Sequence, residues 1–276
     1  KVTIQELKAS LKKERLSKEK AKEVKEKISR IKDRIEQYRY VLFIWKCFGD
    51  GIANIYFDKY SLKHTIYKIE DYMPKEDAGF ITGKKGFRME WSIIKASLKH
   101  GKAAILCDIT NVIRHGDVCL AMYSDPFIIE VKSSKNRNRR TDRQLENIGQ
   151  LHEFYINDGS NNFRGMKNVT RRTFSIPEVN YPEYLKKCIE QSYKIGTASV
   201  SPEKGIHYIA IHRKFKESCF DGIVNKSSMV FMLNHTKTER AWMPYYPFTL
   251  SIKKPEQLYD FIYGDIYLVV VIDLRV

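Results

Sequence analysis

Residues 116–135 read GDVCLAMYSDPFIIEVKSSK, and the reading of this stretch governs the rest of the chain. It has the form of a β-hairpin. One strand begins at Asp117, and the returning strand carries Glu130, Val131 and Lys132. Ser124-Asp125-Pro126 makes the turn, because Pro fixes φ and the Asp side chain bonds its own backbone. Strand side chains alternate faces, so Glu130 and Lys132 point one way and Val131 the other. A pair of carboxylates with one lysine, held on rigid strands, suits a divalent cation that activates water against a phosphate.

The neighbouring segments supply a context. Residues 89–99 (MEWSIIKASLK) read as an amphipathic helix ended by Gly101. Glu90 lies in its first turn, where it can complement the helix dipole. Residues 102–110 read as a strand. Asp108 on it is a rival carboxylate, but the 111–115 loop separates it from the Glu-x-Lys strand, and Asp117 is preferred. His115 is read as a surface or hydrogen-bonding residue in preference to a catalyst. After the hairpin comes a basic run with Lys135, Arg137, Arg139, Arg140 and Arg143. It stands where a nucleic-acid backbone would pass, and such contacts give sequence-independent affinity. Residues 141–157 read as a helix with Leu145, Ile148, Leu151 and Phe154 or Tyr155 as its apolar stripe.

Asp117, a dozen residues, then Glu130-Val131-Lys132 resembles the PD-(D/E)xK signature of restriction-endonuclease-like nucleases. Gly116 stands where that family has Pro. The resemblance covers residues 86–156. It implies an α/β fold: a restriction-endonuclease-like core with a central mixed β-sheet flanked by helices, here preceded by a long N-terminal helix. It further implies Asp117, Glu130 and Lys132 as catalytic residues, and Mg²⁺ or Mn²⁺ held by Asp117, Glu130, the Val131 carbonyl and Glu90. Gln144 or Gln150, on the following helix, would face the site. Phage defence, restriction or DNA repair is the setting such a likeness implies.

Composition agrees with a polyanionic partner. The 276 residues carry a formal charge of +16, which favours nucleic acid or an anionic membrane, and the resemblance makes DNA the expected polymer. A solvated lysine-rich surface is the plainer alternative. The five cysteines are far apart and form no CxxC pair, so reduced thiols and a cytoplasmic location are expected, without zinc or a disulfide framework. No stretch is long and apolar enough for a membrane span. Beginning at Lys1 without Met, the chain reads as a trimmed form or a fragment, and any further domain or partner protein would lie outside it.

The remaining segments divide at residue 42. Residues 3–42 read as one long charged helix. Ala21, Ile28, Ile35 and Leu42 recur every seven positions, with Val24, Ile31 and Tyr38 between them. That stripe either packs on the chain's own body or pairs two copies as a homodimer, and its lysine-rich face is a further candidate for DNA. Residues 43–276 are the nuclease-like domain. Within it, 41–67 fit either core strands or a helix end, and 68–88 read as a loop. Strands are expected at 167–176, 206–212, 229–233, 248–252 and 266–272, and helices at 182–194 and 255–263. The role of 160–276 is open, and the aromatic loop at 242–246 fits a core or a base-stacking surface.

Overall fold

The computed structural model describes residues 2–13, 16–76, 86–132, 139–172, 179–214, 217–234 and 246–275. Two compact units are present, Lys1–Trp45 and Lys46–Val276. The described residues form a mixed α/β protein with a long N-terminal helix and several antiparallel sheets.

The N-terminal unit holds α1 (Val2–Lys13) and the start of α2 (Lys18–Tyr56). A single helix over 3–42 is therefore replaced by two. The heptad register lapses around Glu14 and Leu16, and Ser17 starts a new helix. Its carbonyl accepts from the Ala21 N–H at 2.9 Å and its Oγ from the Lys20 N–H at 3.3 Å. Along the stripe Ile28 is buried, Ala21, Val24, Ile31, Ile35 and Leu42 are half-buried, and Tyr38 is exposed. The polar face carries exposed pairs, Glu36 with Arg39 at 2.6 Å and Glu26 with Arg30 at 3.8 Å. Each such pair contributes only about 0.3–0.5 kcal/mol.

Residues 41–56 resolve as helix, because α2 runs through Gly49 and Gly51 despite their low propensity. Close packing makes them necessary. A Cβ on Gly49 would lie 2.0 Å from the Ile109 carbonyl oxygen, and one on Gly51 would lie 2.8 Å from Leu250 Cγ. Between them Asp50 is buried and accepts from Asn111 N (2.7 Å), Asn111 Nδ2 (2.8 Å) and Val112 N (3.0 Å). Helix α3 (Lys59–His64) follows, capped by Asp58, whose carboxylate accepts the Ser61 N–H at 2.9 Å.

The part that positions the hairpin is a three-layer sandwich. It comprises α4 (Phe87–Lys99), β1 (Ala104–Leu106), a 3-10 turn (Cys107–Ile109), β2 (Val118–Leu120), β3 (Phe127–Ile129) and α5 (Arg139–Ile156). The strands pair antiparallel in the order β1-β2-β3, with Ile105 opposite Cys119 and Cys119 opposite Ile128. Ile105, Cys119 and Ile128 enter a core with Ala53, Leu151 and Phe154. Leu106 and Val118 project to the other face, against Ile94 of α4 and Val131. The period of two thus serves two hydrophobic layers.

A hairpin of β4 (Gly159–Phe163) and β5 (Met166–Thr170) turns at Arg164 and Gly165, both at positive φ. Next come α6 (Pro182–Ile195), β6 (Thr197–Glu203), β7 (Ile206–His212), a 3-10 turn (Glu217–Phe220), β8 (Ser228–Met232), α7 (Tyr246–Thr249), α8 (Pro255–Tyr263) and β9 (Ile266–Asp273). Here the sheet order is β6-β7-β9-β8, all antiparallel. Helix α6 packs on β6 and β7, and α8 on β9. The other face buries Ile209, Ile211, Val269 and Val271 under Cys219, Phe220 and Ile223.

Two expectations change. In place of one central mixed sheet, the described residues hold three separate antiparallel sheets. Short connections such as 121–126 suit antiparallel neighbours, whereas parallel pairing needs a crossover of a dozen or more residues. The strand expected over 248–252 is instead α7 and a turn, where the Ser251 and Ile252 N–H groups both donate to the Phe248 carbonyl.

Candidate active site

Asp117 lies one residue before β2, and three backbone contacts fix it there. Its N–H donates to the Ile129 carbonyl at 2.9 Å, and its carbonyl accepts from the Cys107 N–H at 2.9 Å. Its carboxylate Oδ2 accepts the Val131 N–H at 2.9 Å. The ladder therefore ends at Ile129, and a side chain holds the next segment in place of another strand. Glu130, Val131 and Lys132 follow β3 without being part of it. Val131 turns toward α4, into the layer of Ile94, Leu106 and Val118. Glu130 and Lys132 flank it, both half-buried.

The backbone at Gly116 accounts for glycine at this position. Its φ is +65°, and a Cβ would lie 2.4 Å from Ile128 Cγ2 and 2.8 Å from the Ile129 carbonyl oxygen. Proline is confined to φ near −65°, so it cannot occupy this position.

The ammonium of Lys132 is the unusual group. Its Nζ is buried, and among the described residues it has no hydrogen-bond partner. A charged nitrogen removed from water without a partner is expensive, and structures keep few of them.

Glu90 is buried in the first turn of α4. Its Oε1 lies 3.1 Å from where a Gly86 Cβ would stand, so the carboxylate folds back over its own helix start. Among the described residues, no three His, Cys, Asp or Glu side chains gather as a group able to hold a metal. The fold-back agrees with the dipole reading, in which a carboxylate serves the positive end of the helix.

The two glutamines separate. Gln144 is half-buried on the side of α5 that carries Ile148, Leu151 and Tyr155 at helical spacing. Gln150 is exposed and lines a groove of about 420 Å³ with Arg143, Asn147, Asn162, Arg164 and Glu70. Arg139 and Arg143 are exposed on α5, and Arg140 is in the same helix. Lys135, Arg137 and residues 242–245 lie outside the described residues. Asp108 is half-buried in the 3-10 turn after β1.

His115 is a structural residue. Its Nε2 lies 2.8 Å from the Tyr67 carbonyl, and its Nδ1 lies 3.4 Å from Lys75 Nζ. Burial, then Lys75, pushes its pKa down to about 4.

Two supports of the hairpin escaped the sequence reading. His152 on α5 accepts the Ile128 N–H at its Nε2 (3.1 Å) and stacks on Phe127 at 4.8 Å. Burial lowers its pKa, which keeps Nε2 an acceptor. A histidine four residues after Ile148, beside the stripe, was the available signal. At the turn, Asp125 Oδ1 accepts from Arg171 Nη1 and from Ser61 Oγ, each at 2.5 Å. Arg171 Nη2 reaches Asp158 at 2.6 Å. A long-range ion pair therefore anchors the turn.

No family model matches the chain, and neither characterised proteins nor solved structures show a significant match to it.

Proposed function

We propose that this chain is a metal-dependent nuclease that hydrolyses phosphodiester bonds, with DNA as its expected polymer. In this reading α4, β1–β3 and α5 are a restriction-endonuclease-like core. The observation that carries the proposal is the buried ammonium of Lys132, which has no hydrogen-bond partner among the described residues. It follows Val131, whose N–H is held by Asp117, and the same three residues include Glu130. The effective cost of a buried ion is several kcal/mol, and an arriving phosphodiester would supply the missing counter-charge.

The donor set fits Mg²⁺ or Mn²⁺. The carboxylates of Asp117 and Glu130 and the Val131 carbonyl are hard oxygens, and Mg²⁺ is commonly held by one or two carboxylates with several waters. When bound, the ion would lower the pKa of a water and balance charge on the phosphate. As an ammonium, Lys132 would neutralise a phosphate oxygen and orient the attacking water. Gln144 faces the sheet layer as a further positioning group. Gln150 and Arg143 share the groove beside it, and with Lys135, Arg137, Arg139 and Arg140 they would bind the polymer backbone. The exposed basic face of α2 is a second nucleic-acid surface, and its apolar stripe suits a partner protein or a second copy. Antiviral defence, restriction or repair in the cytoplasm is the setting we assign. No helix among the described residues is long and apolar enough to cross a membrane.

The test is incubation with linear DNA, circular DNA and RNA in Mg²⁺, Mn²⁺ or EDTA. EDTA-sensitive cleavage is expected, lost in folded Glu130→Ala and Lys132→Ala variants. Full activity in either variant sinks the assignment.

One observation favours a second reading. The lack of a three-ligand group among the described residues suits a non-catalytic nucleic-acid-binding or scaffolding module. A Mn²⁺ titration read by paramagnetic broadening separates the two. Broadening around Asp117 and Glu130 supports the nuclease, and its absence supports the binding module.

A further inference from the structure

We infer that β8 is a pairing edge through which two copies of this chain join their C-terminal sheets antiparallel about Val230. The inference is independent of the nuclease reading.

Among the described residues, strand β8 (SMVFM) is the outer strand of the β6-β7-β9-β8 sheet. Both of its faces are open: Met229 is 44% exposed, Val230 49%, Phe231 43% and Met232 37%. Exposed apolar edges invite another strand, and proteins usually blunt them with charge, proline or a bulge. The opposite edge of this sheet is blunted in that way. Strand β6 carries Pro202 and Glu203, and its register shifts between Val200 and Glu203. Strand β3, at the edge of the first sheet, has its Ile128 N–H taken by His152. Strand β8 contains no charge, proline or register shift.

The direction of its backbone selects the pairing. Leu233 N–H donates to the Leu268 carbonyl at 2.8 Å, and Leu274 N–H donates to the Ser227 carbonyl at 3.1 Å. Positions 227 and 233 therefore bond inward to β9. By the alternation of an antiparallel ladder, 229 and 231 do the same, while Ser228, Val230 and Met232 aim outward. A two-fold axis at Val230 pairs it with itself and sets Ser228 opposite Met232 of the other copy. Every outward group is then in a hydrogen-bonded pair. Met229 meets Phe231 on one face, and the two Val230 side chains meet on the other.

Charge decides the occupant. The chain carries +16 in total, yet this pairing sets no charge opposite another. An acidic peptide would find no cation in β8 to meet its carboxylates. A second copy presents the uncharged, β-branched and aromatic strand that the edge matches.

Analytical ultracentrifugation of the full chain, with hydrogen–deuterium exchange across a concentration series, tests the inference. A monomer–dimer equilibrium is expected, with protection of the 228–232 amides rising with concentration. Val230→Lys would set two ammonium groups face to face and weaken dimerisation at least ~10-fold. Because position 230 is exposed, thermal unfolding of the dilute variant should match that of the parent. Three outcomes overturn the inference. The first is a monomer at every concentration, and the second a dimer that survives Val230→Lys. The third is protection that is independent of concentration or rises only in the N-terminal helices.

Discussion

Replacing Lys132 by methionine should make the protein more stable and inactive at once. Nζ is buried and lacks a hydrogen-bond partner among the described residues, so its charge opposes folding. The effective penalty for a buried ion is several kcal/mol, but Lys132 as a whole is only half-buried, which leaves room for relaxation. About 1–2 kcal/mol is a fair share to recover. Methionine keeps the unbranched stem and its apolar contacts and removes the ammonium. In a chain of this size 1 kcal/mol shifts Tm by about 2–4 °C, so Lys132→Met should melt roughly 2–8 °C higher. Calorimetry in EDTA reads that shift, and a cleavage assay in Mg²⁺ reads the activity. Inorganic phosphate should raise the Tm of the parent and leave the variant unmoved. A variant that melts lower, or that still cleaves, would refute the reasoning, because the ammonium would then be serving the fold or nothing.

Three other perturbations probe the frame around the site. Gly116→Ala places a Cβ 2.4 Å from Ile128 Cγ2 at φ +65°, and strain plus overpacking should cost about 2–4 kcal/mol, read by urea unfolding. Burial holds the Asp50 pKa at about 6, above its unfolded value, so its stabilising contribution is complete below pH 4 and lost as pH rises to 6. The shift corresponds to about 3 kcal/mol, and Asp50→Asn should flatten that slope in unfolding measured from pH 4 to 7. His152 behaves oppositely. Its pKa is lowered, so its bond to the Ile128 N–H is complete above the ordinary histidine range and lost as pH falls through the folded value. Exchange of the Ile128 amide should accelerate on acidification, and His152→Ala should make it fast at all pH values.

Near the hairpin, local patterns were enough. The 89–99 helix, the β2–β3 pairing and the 141–157 helix follow from hydrophobic period, a proline turn and a glycine stop, all of which act over a few residues. The adjacency of Asp117 to the Glu-x-Lys segment was legible for the same reason, since hairpin register is local. The region 41–56 was not legible. Its apolar residues and two glycines fit strand or helix, and the choice rests on Ile109 and Leu250, far along the chain, against which only glycine fits. The separation of the glutamines, by contrast, was implicit in the apolar stripe of the 141–157 helix. Gln144 stands four positions before Ile148 on that stripe and Gln150 stands off it, and the burial of Ile148, Leu151 and Tyr155 follows the same stripe.

By itself the sequence determined the hairpin, its flanking helices and the net positive charge. Tertiary structure alone decided that Asp117 takes the Val131 N–H, that Gly116 excludes proline, and that Glu90 turns back on its own helix. It also decided that Lys132 is buried without a partner among the described residues. The division has a physical cause. Periodicity and turn chemistry are short-range, whereas burial and the pairing of one polar group depend on segments that only the folded chain brings together.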